Sequence, residues 1–308
     1  MGFDMNPQSL KKLCKELKLY SSCPELNEVL YLQQRGILKV KHLNAYTGVR
    51  SIHLECNAIS NIEGLEDCVN LACLYLNQNV IEDIKGLDNL KCLDTVNLAD
   101  NQIRQIKGLA GCSMLRQLNI SGNYIRTEDD VSHLLDCKSL QSLDISNNKI
   151  DDEDALKVLR KLSLSLLRMN GNPVVSKARY YRKATIVSIP MLNYLDDSPV
   201  FAKERRLAEA WEKGGIDAEK TMRETIKSEE ALERETHRRA FEDMLAKAKA
   251  ESEAAQLHTS EVEQANDSRV LESLTEEMDA TEIKEPKDIR DNDIDMVESL
   301  TNLPDEVQ

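Results

Sequence analysis

Aliphatic and polar residues alternate along residues 49–123 in a frame that repeats every 22 residues. Each frame reads L-x-x-L-x-L-x-x-N-x-L, with Leu, Ile or Val at the apolar positions and asparagine at one fixed position. A fixed period with fixed apolar columns predicts a stack of equivalent coils, because one coil cannot bury its own apolar face. The fixed asparagines are Asn57, Asn79, Asn101 and Asn123.

This frame is the signature of a leucine-rich repeat. Its L-x-L core predicts a short strand whose alternate side chains point to opposite faces, so that Ile52 and Leu54 point into the stack. The asparagine is expected to turn inward, where its amide can satisfy backbone groups of the turn. The predicted fold is an α/β leucine-rich-repeat solenoid with parallel strands on its concave face.

The repeat continues beyond the four regular frames. A degenerate frame precedes them, with Arg35 in the place of the asparagine, and two frames with longer connections follow, ending at Asn148 and Asn172. The longer connections suit short helices, whereas the I-x-x-I-x-x-L connections of earlier coils suit 3₁₀-like turns. Before the first frame, Asn6-Pro7 is a favourable helix start.

After residue 198 the repeat rhythm stops. The following segment is rich in Ala, Glu, Lys and Arg and is interrupted by Gly214-Gly215, which predicts a helix, a hinge and a longer helix. Apolar residues in the longer helix are too sparse for a sustained heptad pattern. Two interpretations remain open for residues 216–257, namely a mostly solvated helix and a coiled coil formed with a partner.

The C-terminal residues have a distinct composition. Residues 258–308 contain sixteen acidic and four basic residues and no aromatic residue, which predicts disorder. The predicted domains are an N-terminal cap helix in 1–24, about seven repeat coils in 25–173, a C-terminal cap in 174–198, charged helices in 199–257 and an acidic disordered tail in 258–308.

Composition narrows the functional classes. The 308 residues carry a net charge of −14, which argues against binding of a nucleic-acid backbone. No apolar run is long enough to span a membrane and no apolar signal core is present, so we expect a soluble cytoplasmic protein. Cys68, Cys112 and Cys137 occupy equivalent repeat positions, and we interpret them as small buried apolar residues.

Motifs for catalysis are missing from the sequence. It contains no phosphate-binding glycine loop, no zinc-protease motif and no serine-nucleophile elbow. The five histidines are scattered without metal-ligand spacing. We therefore expect a non-enzymatic protein with no catalytic residues, cofactor or metal.

A protein partner is expected on the concave face, which the outward strand residues line. The aromatic end formed by Tyr31, His53 and Tyr75 has the composition of an interface hot spot. Alternatively, these side chains form only a solvent-facing ladder. The candidate protein-binding residues are Tyr31, His53, Glu55, Tyr75, Asn77, Asn97, Asn119, Asp144 and Arg168. The predicted structural asparagine ladder consists of Asn57, Asn79, Asn101, Asn123, Asn148 and Asn172.

Two flanking segments carry a more specific resemblance. The 22-residue period with I-x-x-I-x-x-L turns resembles SDS22-like repeats. Residues 25–59, which contain E-L-N-E-V-L-Y-L-Q-Q-R-G-I-L, resemble the entry coil of the leucine-rich-repeat axonemal dynein assembly factor family. Residues 194–215, which read Y-L-D-D-S-P-V-F-A-K-E-R-R-L-A-E-A-W-E-K-G-G, are similar to that family's segment after the repeats.

The resemblance implies a cytoplasmic factor for the preassembly of dynein arms, associated with the cilium or flagellum. Its implied clients are dynein arm subunits or co-chaperones, without nucleic acid or membrane. Two alternatives are a regulatory subunit that docks an enzyme such as a protein phosphatase, and a structural axonemal component bound to microtubules.

Overall fold

The computed structural model describes residues 3–20 and 22–279, with side chains described through residue 253 and at Arg269. The chain divides at Glu230 into two units. The first unit contains the repeats and both caps, and the second continues as helix.

The first unit is built on a single nine-stranded sheet whose strands follow one another in chain order. Neighbours from the first strand to the eighth are parallel, and the last pair is antiparallel. The strands are β1 Val29–Tyr31, β2 Ser51–His53, β3 Cys73–Tyr75, β4 Thr95–Asn97, β5 Gln117–Asn119, β6 Ser142–Asp144, β7 Leu166–Arg168, β8 Tyr194–Leu195 and β9 Ser198–Pro199. The predicted leucine-rich-repeat solenoid is confirmed.

The apolar columns of the frame form one continuous core. Equivalent residues of adjacent coils pair in register, as Ile52 does with Leu74 and Leu74 with Val96. The middle residue of every repeat strand is buried, and the following apolar residue is buried behind it. The buried strand positions include Leu30, Ile52, Leu54, Leu74, Leu76, Val96, Leu98, Leu118, Ile120, Leu143, Ile145, Leu167 and Met169.

Connections in the early coils are chains of single turns. Cys68 N donates to Leu65 O and Leu71 N donates to Cys68 O, each at 3.0 Å, and these bonds close consecutive turns without a continuous 3₁₀ helix. A glycine allows each coil to approach the previous one closely. At Gly86, where φ is +75°, a Cβ atom would lie 2.7 Å from Ile62 O.

Longer connections contain short helices. The first has helix α2, Glu128–Val131, followed by a 3₁₀ turn, and the second has helix α3, Glu153–Leu159 (α1 is the N-terminal helix, Pro7–Glu16). Thr127 and Asp130 form a capping box at the start of α2. The extra residues of these frames therefore lie outside the strands and leave the strand register unchanged.

Helix α1 covers the N-terminal end of the apolar core. Asn6 caps it by accepting hydrogen bonds from Gln8 N at 3.1 Å and Ser9 N at 2.9 Å. Its apolar side is buried against the first coil through Leu10, Leu13 and Cys14. A 3₁₀ turn, Pro24–Leu26, then leads into β1.

The C-terminal end is covered by a compact set of short elements. Helix α4, Pro173–Lys177, and helix α5, Tyr181–Ser188, precede the antiparallel β8–β9 pair. Arg182 on α5 holds that pair in place by donating to Leu195 O at 3.0 Å and to Pro199 O at 3.1 Å.

Helix α6, Ala202–Asp279, is broken where the sequence predicts a hinge. Gly214 has φ −149° and Gly215 has φ +67°, both outside helical geometry. Within the first unit the helix after the break runs back along the helix before it. Arg206 pairs with Glu229 at 2.6 Å, and Ile226 is buried by this return.

In the second unit the helix continues from Ala231. Its apolar side chains Leu232, Phe241, Met244 and Leu245 are each more than half exposed. The sequence predicts disorder from residue 258, whereas the structure describes helix as far as Asp279. Residues 258–279 are rich in good helix formers, and no proline or glycine occurs between Gly215 and Pro286. The rest of the predicted tail, 280–308, lies outside the described residues.

Candidate functional site

One column of outward side chains crosses the whole repeat sheet. It lies on the face that the sequence predicts to be concave, here called the exposed sheet face. Strand register places neighbours in this column side by side from coil to coil. The column consists of Tyr31, His53, Tyr75, Asn97, Asn119, Asp144 and Arg168. Glu55 and Asn77 lie half-buried, two residues further along their coils.

Three rings stack at the N-terminal end of this column. The Tyr31 and His53 ring centroids are 5.0 Å apart with planes inclined by 24°, and those of His53 and Tyr75 are 4.6 Å apart at 13°. Parallel pairing at a strand spacing of about 4.8 Å places the rings in this contact. Tyr31 is the outermost ring and is 40% exposed, so its free side is open to a partner.

The imidazole of His53 is held between two polar neighbours. Its Nδ1 lies 3.0 Å from Glu55 Oε1, and its Nε2 lies 3.3 Å from Ser51 Oγ. The second carboxylate oxygen, Glu55 Oε2, is buried and has no hydrogen-bond partner among the described residues. A buried acceptor without a donor is energetically costly. A partner that donates a hydrogen bond to Glu55 Oε2 would remove that cost.

Burial also affects the hydroxyl of Tyr75. Desolvation, followed by the influence of nearby Cys73 and Glu55, raises the pKa of Tyr75 above its usual value. A tyrosine phenol is neutral at physiological pH even at its usual pKa, and this shift moves its titration further away, so the hydroxyl keeps its hydrogen to donate.

The middle of the column is polar and locally ordered. Asn97 Oδ1 accepts from Ala99 N at 3.1 Å, and Asn119 Oδ1 accepts from Ser121 N at 3.0 Å. Asp144 Oδ1 accepts from Ser146 N at 3.1 Å in the same way. Because each oxygen bonds two residues ahead in its own coil, the side chains are oriented before any partner arrives. A shallow concavity of about 290 Å³ lies over this part of the column.

The C-terminal end of the column carries charge. Arg168 Nη1 lies 3.4 Å from Asp144 Oδ2, and its Nε lies 3.9 Å from Asp197 Oδ1. The Arg168 side chain is about half exposed. Exposed ion pairs contribute little free energy, so these contacts orient the Arg168 side chain without adding much to stability.

Sequence reasoning missed one residue of this face. Tyr194 in β8 pairs in register with Leu166 of β7 and is 51% exposed, so it extends the exposed sheet face beyond the last repeat. Its apolar segment could be recognised in the sequence as a final strand. The register could not, because the intervening cap helices break the repeat spacing.

The asparagine ladder lies behind this face, inside the coils. Asn101 Nδ2 donates to Leu76 O and Leu98 O, and its Oδ1 accepts from Ile81 N, all at 3.0 Å. Asn79, Asn123, Asn148 and Asn172 are also buried and make equivalent bonds, whereas Asn57 is half-buried. Each amide joins its own coil to the preceding one, so the ladder holds the register on which the exposed column depends.

Among the described residues, no group of three or more His, Cys, Asp or Glu side chains could hold a metal ion. None of the helices in the described part of the chain is both long and apolar enough to cross a membrane.

Comparison with known proteins identifies relatives over most of the chain. A family described as leucine-rich repeat matches residues 88–225. Leucine-rich repeat-containing protein ODA7 of Chlamydomonas reinhardtii is 51% identical over 227 residues, covering 73% of this chain and 52% of that protein. Dynein axonemal assembly factor 1 of Homo sapiens is 50% identical over 227 residues, covering 73% of this chain and 31% of that protein. The chain thus spans about half, or less, of the length of these relatives.

Among solved structures, internalin C2 from Listeria monocytogenes aligns with a TM-score of 0.44 at 19% identity. The alignment covers 60% of this chain and 91% of that structure.

Proposed function

We propose that this chain belongs to the leucine-rich-repeat family that includes the dynein axonemal assembly factors, and that it is a scaffold for dynein-arm assembly. It acts without catalysis, in the cytoplasm and in association with the cilium or flagellum. Its clients are dynein arm subunits or co-chaperones. The observation that carries the proposal is the in-register column from Tyr31 to Arg168 on the exposed sheet face.

The aromatic end is the anchor of this docking surface. Binding energy at interfaces concentrates in a few large side chains, chiefly Trp, Tyr and Arg, that partners desolvate. Tyr31 and Tyr75 are already held in place by stacking on His53, so little side-chain entropy is lost when a client covers them. The polar middle then supplies oriented hydrogen-bonding groups that favour one docking register.

The helical segment offers a second, smaller contact. Ile226 is buried within the first unit, which leaves less of residues 216–257 free for a coiled-coil partner. Leu232, Phe241, Met244 and Leu245 remain exposed on the helix of the second unit. A coiled-coil partner stays a prediction for this part of the helix.

The test is gene deletion and rescue in a ciliated or flagellated cell, scored by electron microscopy of axoneme cross-sections. We expect deletion to remove dynein arms and the unaltered chain to restore them. A Tyr31→Ala/Tyr75→Ala double variant should fold but fail to restore arms. The matched control, Tyr124→Ala/Phe201→Ala, removes two exposed aromatic rings outside the column and should restore them.

Four results would count against the proposal, each at a different point. Normal arms after deletion would exclude a role in assembly. Full rescue by the Tyr31/Tyr75 variant would exclude the aromatic end as the anchor. Salt-resistant retention on axonemes would favour a structural component, and co-purification of a phosphatase catalytic subunit with intact arms would favour a regulatory subunit.

A further inference from the structure

Among the described strands, β1 has a strand neighbour on one side only, because it begins the sheet. On that side Leu32 N donates to His53 O at 2.8 Å and Gln34 N donates to Glu55 O at 3.0 Å. The backbone N–H and C=O groups of the even-numbered residues in this segment therefore point toward β2. Since successive strand residues direct their backbone groups to opposite sides, residues 29, 31 and 33 direct theirs away from the sheet.

Interior coils show how such outward groups are used. In β2 the equivalent residues are Ser51, His53 and Glu55, each 22 positions later in the chain. Ser51 N donates to Glu28 O, and the carbonyls of His53 and Glu55 accept from the first coil. Strand β1 thus presents the same donor and acceptors as β2, in the same order, to the position that a preceding strand would occupy. They are Val29 N, Tyr31 O and Gln33 O.

The N-terminal cap covers the core and meets this edge at Arg35, whose carbonyl accepts from Phe3 N at 2.7 Å, whereas Tyr31 and Gln33 remain exposed among the described residues. Leu30 and Leu32 are buried beneath the cap, whereas Tyr31 is 40% exposed. Beside the edge lies a hollow of about 530 Å³ with a largely apolar lining. Two of its walls, Tyr20 and Leu26, are 64% and 55% exposed. The hollow is lined by Leu19, Tyr20, Leu26, Asn27, Glu28 and Val29.

We propose that β1 receives an extended segment of a partner protein, which adds to the sheet as a further parallel strand. Its backbone amides donate to Tyr31 O and Gln33 O, and its carbonyl accepts from Val29 N. One apolar side chain of the segment enters the hollow beside Leu26. This surface adjoins the exposed sheet face at Tyr31 but binds by backbone pairing. Binding at β1 can therefore be tested separately from binding at the column of outward side chains.

A peptide copied from this chain is the probe. Residues 115–123, acetylated and amidated, contain the strand of an interior coil and no cysteine. In the native coil Ile120 N donates to the following coil at Asp144 O, 2.8 Å away, whereas the backbone of Asn119 faces the preceding coil. In the complex, the Ile120 amide should therefore pair with Tyr31 O and the Asn119 amide should face away from the protein.

Binding is measured by NMR on the full chain. We expect saturable shifts at Val29, Tyr31 and Gln33, and exchange of the Val29 amide slowed by about tenfold at saturation. N-methylation of the peptide at Ile120 should weaken binding by about tenfold, the cost of one backbone hydrogen bond. N-methylation at Asn119 is the matched control and should leave affinity within about twofold.

A protein variant gives a second measurement. Val29→Pro removes an outward donor without touching the bonds to β2 and should weaken binding as the Ile120 methyl group does. Val29→Thr keeps the donor and should bind normally.

Three outcomes would overturn the proposal. These are the absence of saturable shifts, equal affinity of the two methylated peptides, and shifts confined to the column from Asn97 to Arg168. Self-association through β1 that the peptide fails to disrupt would also overturn it, because the edge would then belong to a second copy. The peptide comparison changes nothing in the protein, so it remains decisive even if Val29→Pro does not fold.

Discussion

Replacing Asn101 by alanine would break the ladder that joins the central coils. Asn101 is 5% exposed, so water cannot substitute for its amide. Its Oδ1 accepts from Ile81 N, and Ile81 N has no other acceptor among the described contacts. The substitution therefore leaves one buried N–H without a partner.

The three carbonyls that Asn101 Nδ2 contacts lose less. Ala99 O, 3.1 Å away, keeps the backbone N–H of Gln78 as a donor, and the other two keep a side-chain donor. Leu76 O also accepts from Asn79 Nδ2, and Leu98 O also accepts from Asn123 Nδ2, each at 3.0 Å. Each of these two carbonyls thus keeps one donor from a neighbouring rung of the ladder. The orphaned N–H costs about 1–3 kcal/mol, and each bond lost from a carbonyl that keeps a partner costs about 0.5–1.5 kcal/mol.

We expect Asn101→Ala to lower the free energy of unfolding by about 2–6 kcal/mol. Against a typical domain stability of about 5–15 kcal/mol, that is a severe loss. Equilibrium unfolding in urea, followed by circular dichroism, measures it through the midpoint and slope of the transition. Asn70→Ala is the control, because exposed Asn70 makes a single amide bond to Thr47 O at 3.0 Å. The free energy of unfolding of Asn70→Ala should fall by only about 0.5 kcal/mol.

The reasoning would be refuted by a loss below about 1 kcal/mol for Asn101→Ala with an unchanged slope. It would also be refuted if Asn70→Ala were equally damaging, because burial would then not determine the cost. A transition that broadens into two steps would mean that the coils on either side of Asn101 unfold separately, as one-dimensional repeat arrays can.

Two further predictions concern packing between coils and thiol reactivity. Gly86→Ala should destabilise the fold by about 1–3 kcal/mol, because φ is +75° and the new Cβ would meet Ile62 O at 2.7 Å; thermal unfolding measures this, and an unchanged midpoint would contradict it. Burial raises the pKa of Cys68, Cys112 and Cys137 to about 11, so at pH 8 these thiols stay protonated. Iodoacetamide should then modify exposed Cys92 first in the native protein, and mass spectrometry showing equal rates would oppose this account.

The periodic part of the fold could be predicted from the sequence because burial alone determines it. Residues such as Ile52 and Val96 are buried because their frame position faces the core in every coil. Even the degenerate first coil follows the frame, although Arg35 replaces the asparagine. Arg35 N donates to Asn57 Oδ1 at 3.0 Å, so the amide of the next coil serves the turn.

The caps could not be predicted in the same detail, since single contacts rather than a period define them. Tyr180 adopts a left-handed conformation with φ +57°, and its ring lies 4.9 Å from that of Trp211. The return of α6 rests on ion pairs such as Lys203 with Glu230. Such pairings join distant residues whose local sequence is ordinary helix or turn.

For the candidate site, the period predicted which residues share a column but not how they interact. The alternation of the frame places Tyr31, His53 and Tyr75 on one face, and the structure brings their rings into contact. The orientation of the imidazole depends on Glu55 and Ser51, whose roles no frame position specifies. The period thus predicted which residues belong to the column. It did not predict the hydrogen bonds that orient His53, because these depend on side-chain positions that the period does not specify.

The two ends of the sheet differ in how their backbone groups are treated. At the C-terminal end β9 returns antiparallel, carries Pro199 with no N–H to offer, and is tied down by Arg182. At the N-terminal end residues 29–33 contain neither a charge nor a proline, the usual protections of a sheet edge. An unprotected edge is a liability unless something binds it. The asymmetry therefore favours β1 as the edge on which a partner strand completes the stack.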